Sequence, residues 1–410
     1  MNGVIPQAER LICVMVGLPA RGKTFISQKL CRYLRWLNFN SKVFNVGNYR
    51  RKNFGVDMDH NFFDPENKEA QEQRRMAALE ALNDVLEWFE KETDPMVPAI
   101  AIYDATNSTV ERRKMILEFC SSKALKVMFI ESICHDDELI MSNIKEVKLS
   151  SPDYVNKDPD QAAEDFKARI AHYQKAYETI TEKDISFIKT IDLGTQFVLH
   201  LVQDYLQSRI VFYLMNLHIK PRSIFISRHG ESMLNVKGAI GGDSDLSPRG
   251  RIFAEKLPDL IKKNLGDKKL TVWTSTLKRT IQSAEHLTYP KLSWKALDEL
   301  DAGVCDGMTY EEIEEKYPED FHLRDSDKYN YRYRGGESYH DLVVRLEPVI
   351  MELERQENIL IISHQATLRC IYAYFLNLPR DELPYINIPL HTVIQLTPKA
   401  YGCEEVRYKL

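Results

Sequence analysis

Short unbroken apolar runs alternate along the chain with longer stretches in which apolar residues recur every three or four positions. The first run, Leu11–Val16, leads into a glycine-rich turn, after which Ile26, Leu30, Tyr33, Leu34 and Leu37 share one helical face. Further runs follow at Val43–Val46, Ala99–Tyr103, Val127–Ile130 and Phe187–Ile191, separated by helical patterns over Glu69–Lys91, Glu111–Ser121 and Asp160–Thr179. Strands that lack polar alternation and are separated by helices predict a mostly parallel sheet covered on both faces. Val198–Leu217 reads as one apolar, helix-capable segment, and a domain boundary is expected just beyond it, at Ile219–Arg222. Residues 1–219 then form one domain and residues 220–410 a second. For the second, the pattern predicts strand Ser223–Ile226, helix Pro248–Lys263, strand Leu270–Trp273, helices Lys278–His286 and Tyr339–Gln356, and strands Ile359–Ile362 and Thr392–Leu396. The expected fold class is α/β in both halves.

Composition adds mainly exclusions. A chain of 410 residues, 44% hydrophobic and 28% charged, suits two or three packed domains. A formal net charge of −5 gives no overall attraction to nucleic acid or to an anionic membrane, so any phosphate site must be local. The seven cysteines are odd in number and form no CxxC pair, which favours reduced thiols over a disulfide framework or a zinc module. No apolar run approaches the ~18 residues needed to cross a bilayer. The N-terminal residues lack the basic-then-apolar order of a secretory signal. A cytoplasmic protein is therefore expected.

Gly17-Leu18-Pro19-Ala20-Arg21-Gly22-Lys23-Thr24 fits GxxxxGK[ST], between a strand and a helix as that motif requires. Small residues at Gly17 and Gly22 let backbone N–H groups surround phosphates, and the helix N-terminus adds its dipole. Lys23 can reach the β- and γ-phosphates, and the Thr24 hydroxyl can hold Mg²⁺. Asp104 closes the apolar run Ala99–Tyr103, at the strand end where ligands bind in such sheets. It either serves Mg²⁺ through water, accepts the proton of an attacking hydroxyl, or opens a turn with Thr106 and Asn107. Arg50, Arg51, Arg74, Arg75, Arg112, Arg113, Lys148 and Arg169 fall where loops are expected to return to the crevice. Arginine suits bidentate phosphate recognition, so the group hints at a phosphorylated acceptor.

A second constellation lies downstream. Strand Ser223–Ser227 runs into Arg228-His229-Gly230-Glu231, and strand Ile359–Ile362 into Ser363-His364-Gln365. Two strands each ending in histidine bring two imidazoles to one sheet edge, an arrangement suited to phosphoryl transfer onto His229. Arg228, Arg279 and His364 would neutralise the transferring group and keep His229 unprotonated. Glu299 is the candidate acid for the leaving oxygen. Zinc hydrolysis is the alternative for two histidines, but no HExxH, HxH or cysteine cluster accompanies them.

These residues carry a resemblance. GLPARGKT, the YDATN stretch at Tyr103–Asn107, KLSSPDY at Lys148–Tyr154, SRHGES at Ser227–Ser232, IGGDS at Ile240–Ser244, DAGVC at Asp301–Cys305 and RLEPVIMELERQENIL at Arg345–Leu360 resemble the 6-phosphofructo-2-kinase/fructose-2,6-bisphosphatase family, from about Leu11 to Tyr401. The resemblance implies an N-terminal P-loop kinase domain and a C-terminal, phosphoglycerate-mutase-like histidine phosphatase domain. It implies ATP with Mg²⁺ for the first, no cofactor for the second, fructose 6-phosphate and fructose 2,6-bisphosphate as substrates, and a homodimer through the kinase halves. Matched by motif, ATP would meet Gly17–Thr24, Asn143–Lys148 and Tyr401. Fructose 6-phosphate would meet Arg50 or Arg51, Arg74, Thr106, Arg112, Lys148, Arg169 and Tyr173. Lys23, Asp104, Cys134 and Lys148 match kinase active-site positions. In the phosphatase, Arg228, His229, Arg279, Glu299 and His364 match the catalytic set, and Asn235, Gly241, Tyr310, Arg324, Lys328, Tyr339, Gln365 and Arg369 the sugar-bisphosphate pocket. Ala239 departs from the family, whose members often carry arginine there. Two rivals remain: a nucleotide kinase fused to a general phosphatase, and a binding protein built on two degenerate catalytic folds. Retention of Lys23, His229 and Glu299 disfavours the latter.

Overall fold

The computed structural model describes residues 8–56, 58–148, 152–154, 158–217, 222–399 and 402–410. It divides into two units, Met1–Leu217 and His218–Leu410, each built on its own six-stranded sheet. Apart from Arg222, the boundary segment expected at Ile219–Arg222 lies outside the described residues.

In the first unit the strands are β1 (Arg10–Val16), β2 (Asn40–Asn45), β3 (Ala99–Asp104), β4 (Lys126–Ile133), β5 (Phe187–Ile191) and β6 (Gln196–His200). They lie in the order β2-β3-β1-β4-β5-β6, with β6 alone antiparallel to its neighbour. Every residue of β3 is buried because both sheet faces are covered, which explains its unbroken apolar run. On one face Ile12, Val14 and Tyr103 pack against Ala78, Ala81, Leu82 and Val85 of helix Lys68–Lys91. The small alanines admit close approach, and the Tyr103 hydroxyl donates to the Ala78 carbonyl at 2.8 Å. Helices Lys23–Trp36 and Tyr205–Asn216 meet through the stacked rings of Tyr33 and Tyr213, 4.3 Å apart.

Two expected helices are corrected. Val198–Leu217 divides into edge strand β6 and helix Tyr205–Asn216. Asp204 caps that helix by accepting from the Gln207 N–H at 2.7 Å, and the residues before it satisfy the outer backbone groups of β5. The helix expected over Asp160–Thr179 ends at Lys175. Beyond it, the Tyr177 and Thr179 hydroxyls turn inward to donate to the buried Glu131 carboxylate.

The second unit contains β7 (Ile224–Arg228), β8 (Thr271–Thr274), β9 (Lys291–Ser293), β10 (Ile359–Ser363), β11 (Thr392–Lys399) and β12 (Gly402–Lys409), in the order β12-β11-β7-β10-β8-β9. The four strands from β7 to β9 are parallel, and β11 and β12 extend the sheet antiparallel. Phe225, Val272, Leu360, Ile362 and Val393 form a core with Leu257 and Ile261 of helix Pro248–Leu265. Strand β12 has no apolar run to announce it, because it is an edge strand carrying Glu404, Glu405, Arg407 and Lys409. Parallel β7 and β10 pair Arg228 with Ser363 in register, so both histidine-bearing turns leave the same sheet edge.

Two candidate active sites

In the first unit, Gly17 follows β1 with φ +135°, and a Cβ there would stand 2.4 Å from the Ser132 carbonyl oxygen of β4. Only glycine allows that approach. Gly22 caps helix Lys23–Trp36 in a left-handed conformation, and Ala20 also has positive φ. The loop is gripped from three sides. Gly17 N–H donates to Thr106 O at 2.9 Å, the Asn107 side chain donates to Met15 O at 2.8 Å, and the Asn143 side chain donates to Ala20 O at 3.1 Å. Leu18, Pro19 and Arg21 complete the turn, where the Arg21 guanidinium donates to Pro19 O. Lys23 is buried and donates to Leu18 O at 2.6 Å. Burial pushes its ammonium down to about 7, opposed by Asp104 and reinforced by Arg21 and Arg169. Asp104, at the end of β3, accepts from the Asn45 side chain at 2.6 Å, and Thr24 sits half-buried in the first helical turn.

The basic residues expected on loops stand on helices instead. Arg50 and Arg51 lie on Val46–Phe54, Arg74 and Arg75 on Lys68–Lys91, Arg112 and Arg113 on Val110–Ser121, and Arg169 on Pro159–Lys175. They separate by environment. Tyr173 sits beside Thr106, Arg74 and Arg169; burial alone would raise its hydroxyl, but Arg169 and Arg74 hold it below the ordinary phenol value. Burial lowers Arg112, with Tyr103 and Tyr173 opposing and Arg74 adding to the shift, so Thr106, Arg74, Arg112, Arg169 and Tyr173 form one cluster. Arg50 and Arg51 converge instead on buried Asp153, at 2.6 and 3.5 Å, with Arg169 at 3.7 Å. Arg50 is almost wholly buried, whereas the Arg51 side chain is 21% exposed. Arg113 is a fully buried brace, bonded to Glu182, Asn107 O and Glu178 O, and Arg75 pairs with Glu72 on the surface. Cys134 packs with Ile140, Ile144 and Phe166, and burial pushes its thiol up, which makes it a neutral packing group there. Tyr401 and the side chain of Lys148 lie outside the described residues. Asn45 and Asp153 are additions from the structure: Asn45 is marked in the chain only as a polar residue within the run Val43–Val46, and Asp153 only by its place in Lys148–Tyr154.

In the second unit, the His229 N–H donates to Ser363 O at 3.0 Å, and Nδ1 lies 2.6 Å from Gly230 O. A carbonyl only accepts, so Nδ1 carries the proton and Nε2 keeps its lone pair. Arg279 Nε donates to that lone pair at 3.1 Å. Burial, Arg279 and Arg228 hold the imidazole well below its ordinary value, with the Gly230 bond opposing. Burial pushes Arg228 down to about 10, with Glu299 opposing, and its Nε has no partner among the described residues. Arg279 is steered by a second bond, to Gly242 O at 2.6 Å. The neighbouring Gly241 has φ +68°, and a Cβ there would collide with Asp306. The His364 ring centroid lies 5.2 Å from that of His229. The Glu299 carboxylate accepts from the Leu300 N–H at 2.9 Å and the Ala366 N–H at 3.1 Å, which fixes its orientation at the start of helix Gln365–Leu376.

One cavity joins His229, Arg228, Arg279 and Glu299 to Asn235, Gly241, Gln365 and a distal basic group, Arg324, Lys328 and Arg369. Tyr310 accepts from Arg324 at 3.2 Å and Tyr339 from Arg369 at 2.9 Å. Burial, Arg324 and Arg369 push Lys328 down to about 8. Tyr331 and Tyr333 also line the cavity and were missed; Tyr333 accepts from Arg324 Nε at 2.9 Å, a role with no motif around it. Ala239 lines the wall where a bridge joins it to Thr309.

Comparison with known proteins agrees with this division. Residues 3–221 match the 6-phosphofructo-2-kinase family and residues 224–410 the histidine phosphatase superfamily (branch 1). The chain is similar to a Saccharomyces cerevisiae protein named fructose-2,6-bisphosphatase, at 56% identity over 97% of this chain and 88% of that one. It is similar to 6-phosphofructo-2-kinase/fructose-2,6-bisphosphatase 4 of Rattus norvegicus, at 55% identity over 96% of this chain and 83% of that one. The corresponding human protein 1 is 55% identical over 95% of this chain and 82% of its own length. With similarity of this extent spanning both phosphate sites, the chain belongs to the 6-phosphofructo-2-kinase/fructose-2,6-bisphosphatase family.

Proposed function

We propose that residues 1–219 transfer the γ-phosphate of ATP to the 2-hydroxyl of fructose 6-phosphate, and that residues 220–410 remove it again through a phosphohistidine on His229. The observation that carries this reading is the coexistence in one chain of a complete phosphate-binding loop beside Asp104 and a histidine whose Nε2 lone pair meets Arg279.

In the kinase half, the loop N–H groups and Lys23 hold the ATP phosphates. Thr24 and Asp104 offer the hard oxygens that suit Mg²⁺, which keeps most of its waters and, when bound, neutralises charge on the β- and γ-phosphates. Asp104, oriented by Asn45, accepts the proton of the attacking hydroxyl. The Arg74, Arg112, Arg169, Tyr173 and Thr106 cluster holds the sugar phosphate. The greater exposure of Arg51 makes it, rather than Arg50, the further contact.

In the phosphatase half, His229 Nε2 attacks the 2-phosphate, the P–O bond to the sugar breaks, and the leaving oxygen takes a proton from Glu299. Glu299 then activates the water that hydrolyses phosphohistidine. Arg228, Arg279 and His364 stabilise the transferring charge, and Arg324, Lys328 and Arg369 bind the 6-phosphate.

A homodimer through the first unit is also proposed. Edge strand β6 exposes Val198 and Leu199, and helix Tyr205–Asn216 exposes Tyr205, Phe212 and Met215, apolar surface that a second copy would cover. Among the described residues no helix is long and apolar enough to cross a membrane, which agrees with the proposed cytoplasmic location.

The test is to incubate the protein with Mg²⁺, fructose 6-phosphate and γ-labelled ATP. Labelled fructose 2,6-bisphosphate that later releases its label as phosphate supports both activities. His229→Ala should still form the labelled sugar but neither release the label nor acquire it; full turnover in that variant sinks the nucleophile assignment. The name of the yeast relative mentions the phosphatase alone, so a second reading has a silent kinase half. It predicts no labelled sugar but normal hydrolysis of supplied bisphosphate.

A further inference from the structure

His364 is fully buried at the end of β10, and its two ring nitrogens differ. Nε2 lies 2.8 Å from Ser275 Oγ, whereas Nδ1 is buried with no partner among the described residues. Ser275 Oγ lies in turn 2.9 Å from Thr280 Oγ1 and accepts from the Leu277 N–H at 3.1 Å. Thr280 Oγ1 is 2.8 Å from Leu277 O and 3.2 Å from Ser275 O. Ser275 and Thr280 are, like His364, closed to solvent.

Each hydroxyl has one proton to give. Thr280 stands beside two carbonyls that only accept, and its proton goes to the nearer, Leu277 O. Its lone pairs then receive the Ser275 proton across the 2.9 Å contact. Ser275, its proton committed, accepts from His364. The chain therefore runs in one direction, from His364 Nε2–H through Ser275 and Thr280 to Leu277 O. Reversed, with Ser275 donating to Nε2, the contact between the two hydroxyl oxygens would hold no proton unless Thr280 turned from its nearest carbonyl.

We propose that Ser275 and Thr280 are positioning residues for the phosphatase reaction, whose hydroxyl chain keeps one proton on Nε2 of His364 and so leaves Nδ1 to meet the phosphoryl group. The groups facing His364 are Arg228 at the end of β7, His229 just beyond it, Arg279 on helix Lys278–Ser283 and Arg345 on helix Tyr339–Arg355. Burial and these groups hold the imidazole well below its ordinary value, so it is neutral in the free enzyme. A phosphoryl dianion offsets the cations. Nδ1 then takes a proton from solvent and donates it to a phosphoryl oxygen, while Nε2–H remains bound to Ser275. His364 thereby becomes a charged donor only while phosphate occupies the site, and releases product as a neutral ring. This rests on the phosphatase reading, but the resting tautomer is measured without substrate and fails or stands by itself.

The experiment uses the full chain with ¹⁵N-labelled histidine and two-bond ¹H–¹⁵N correlation at pH 7, with and without orthovanadate as the phosphoryl mimic. His364 should be the Nε2–H tautomer alone and protonated on both nitrogens with orthovanadate. Thr280→Val is nearly isosteric and removes the acceptor for the Ser275 proton, which then turns to Nε2. The tautomer should invert to Nδ1–H, and kcat for bisphosphate hydrolysis should fall by about tenfold or more with KM within about twofold. Thr280→Ser should restore both readouts. Should Thr280→Val not fold, Ser275→Ala takes its place and should give mixed tautomers with a similar kcat loss. An Nδ1–H tautomer in the unaltered protein, or an unchanged tautomer and kcat in the variant, overturns the proposal.

Discussion

Lys23 carries the clearest quantitative expectation. Its amine is enclosed beneath the phosphate-binding loop, donates to Leu18 O at 2.6 Å, and is pushed down to about 7 by burial against the opposing charge of Asp104. At pH 7 about half of these amines are neutral, and at pH 8 about nine-tenths. ATP phosphates stabilise the ammonium, so binding raises the pKa and draws a proton from solvent. Uptake per ATP should rise from about a tenth at pH 6 to about half at pH 7 and about nine-tenths at pH 8. Affinity should weaken above pH 7, by up to about tenfold per unit, until the pH reaches the pKa of the bound state. Calorimetry with Mg²⁺ and a non-hydrolysable ATP analogue, in buffers of different ionisation enthalpy, reads the uptake. Lys23→Met should remove it along with kinase activity and leave bisphosphate hydrolysis intact. Uptake that stays near zero across this range, or persists in Lys23→Met, would refute the reasoning.

Three further outcomes follow from the geometry. Gly17→Ala places a Cβ 2.4 Å from the Ser132 carbonyl oxygen at φ +135°, so sugar phosphorylation should be lost while bisphosphate hydrolysis continues; normal kinase rates would show that the loop has room. Tyr333→Phe removes the acceptor of Arg324 Nε and should raise KM for the bisphosphate roughly three- to tenfold with kcat little changed, as steady-state kinetics would show; an unaltered KM counts against a distal phosphate site there. Lys328 titrates at about 8, lowered by burial, Arg324 and Arg369, so its ammonium is present below pH 8 and lost above it. KM for the bisphosphate should climb on the alkaline side, and Lys328→Gln should flatten that limb of the pH profile.

Much of this protein is written locally. The apolar runs that became β1, β3, β5, β7 and β10, and the turns that follow β1 and β7, could be read directly, because an apolar run and a glycine turn are patterns of adjacent residues. The same holds for Asp104, His229 and His364, each placed at a strand end by its own segment, and for Lys23, placed at the start of a helix by the turn before it. Elsewhere the deciding contacts are not local. The polar edge strand β12 shows no apolar run, and β6 looks helical until β5 offers it partners. Arg50 is as basic as Arg51, yet its bond to Asp153, 103 positions away, and its packing against Phe62 and Phe63 hold it out of solvent. Ser275 is an ordinary serine until β8 and β10 pair and bring it against His364, 89 positions on. The sequence by itself thus determined which segments become the buried apolar strands and which residues can do phosphate chemistry, since those rest on short-range pattern and side-chain type. Tertiary structure alone decided which cations converge, which are spent on internal carboxylates, and which nitrogen of each histidine holds its proton, because those depend on partners that only packing brings within hydrogen-bond reach.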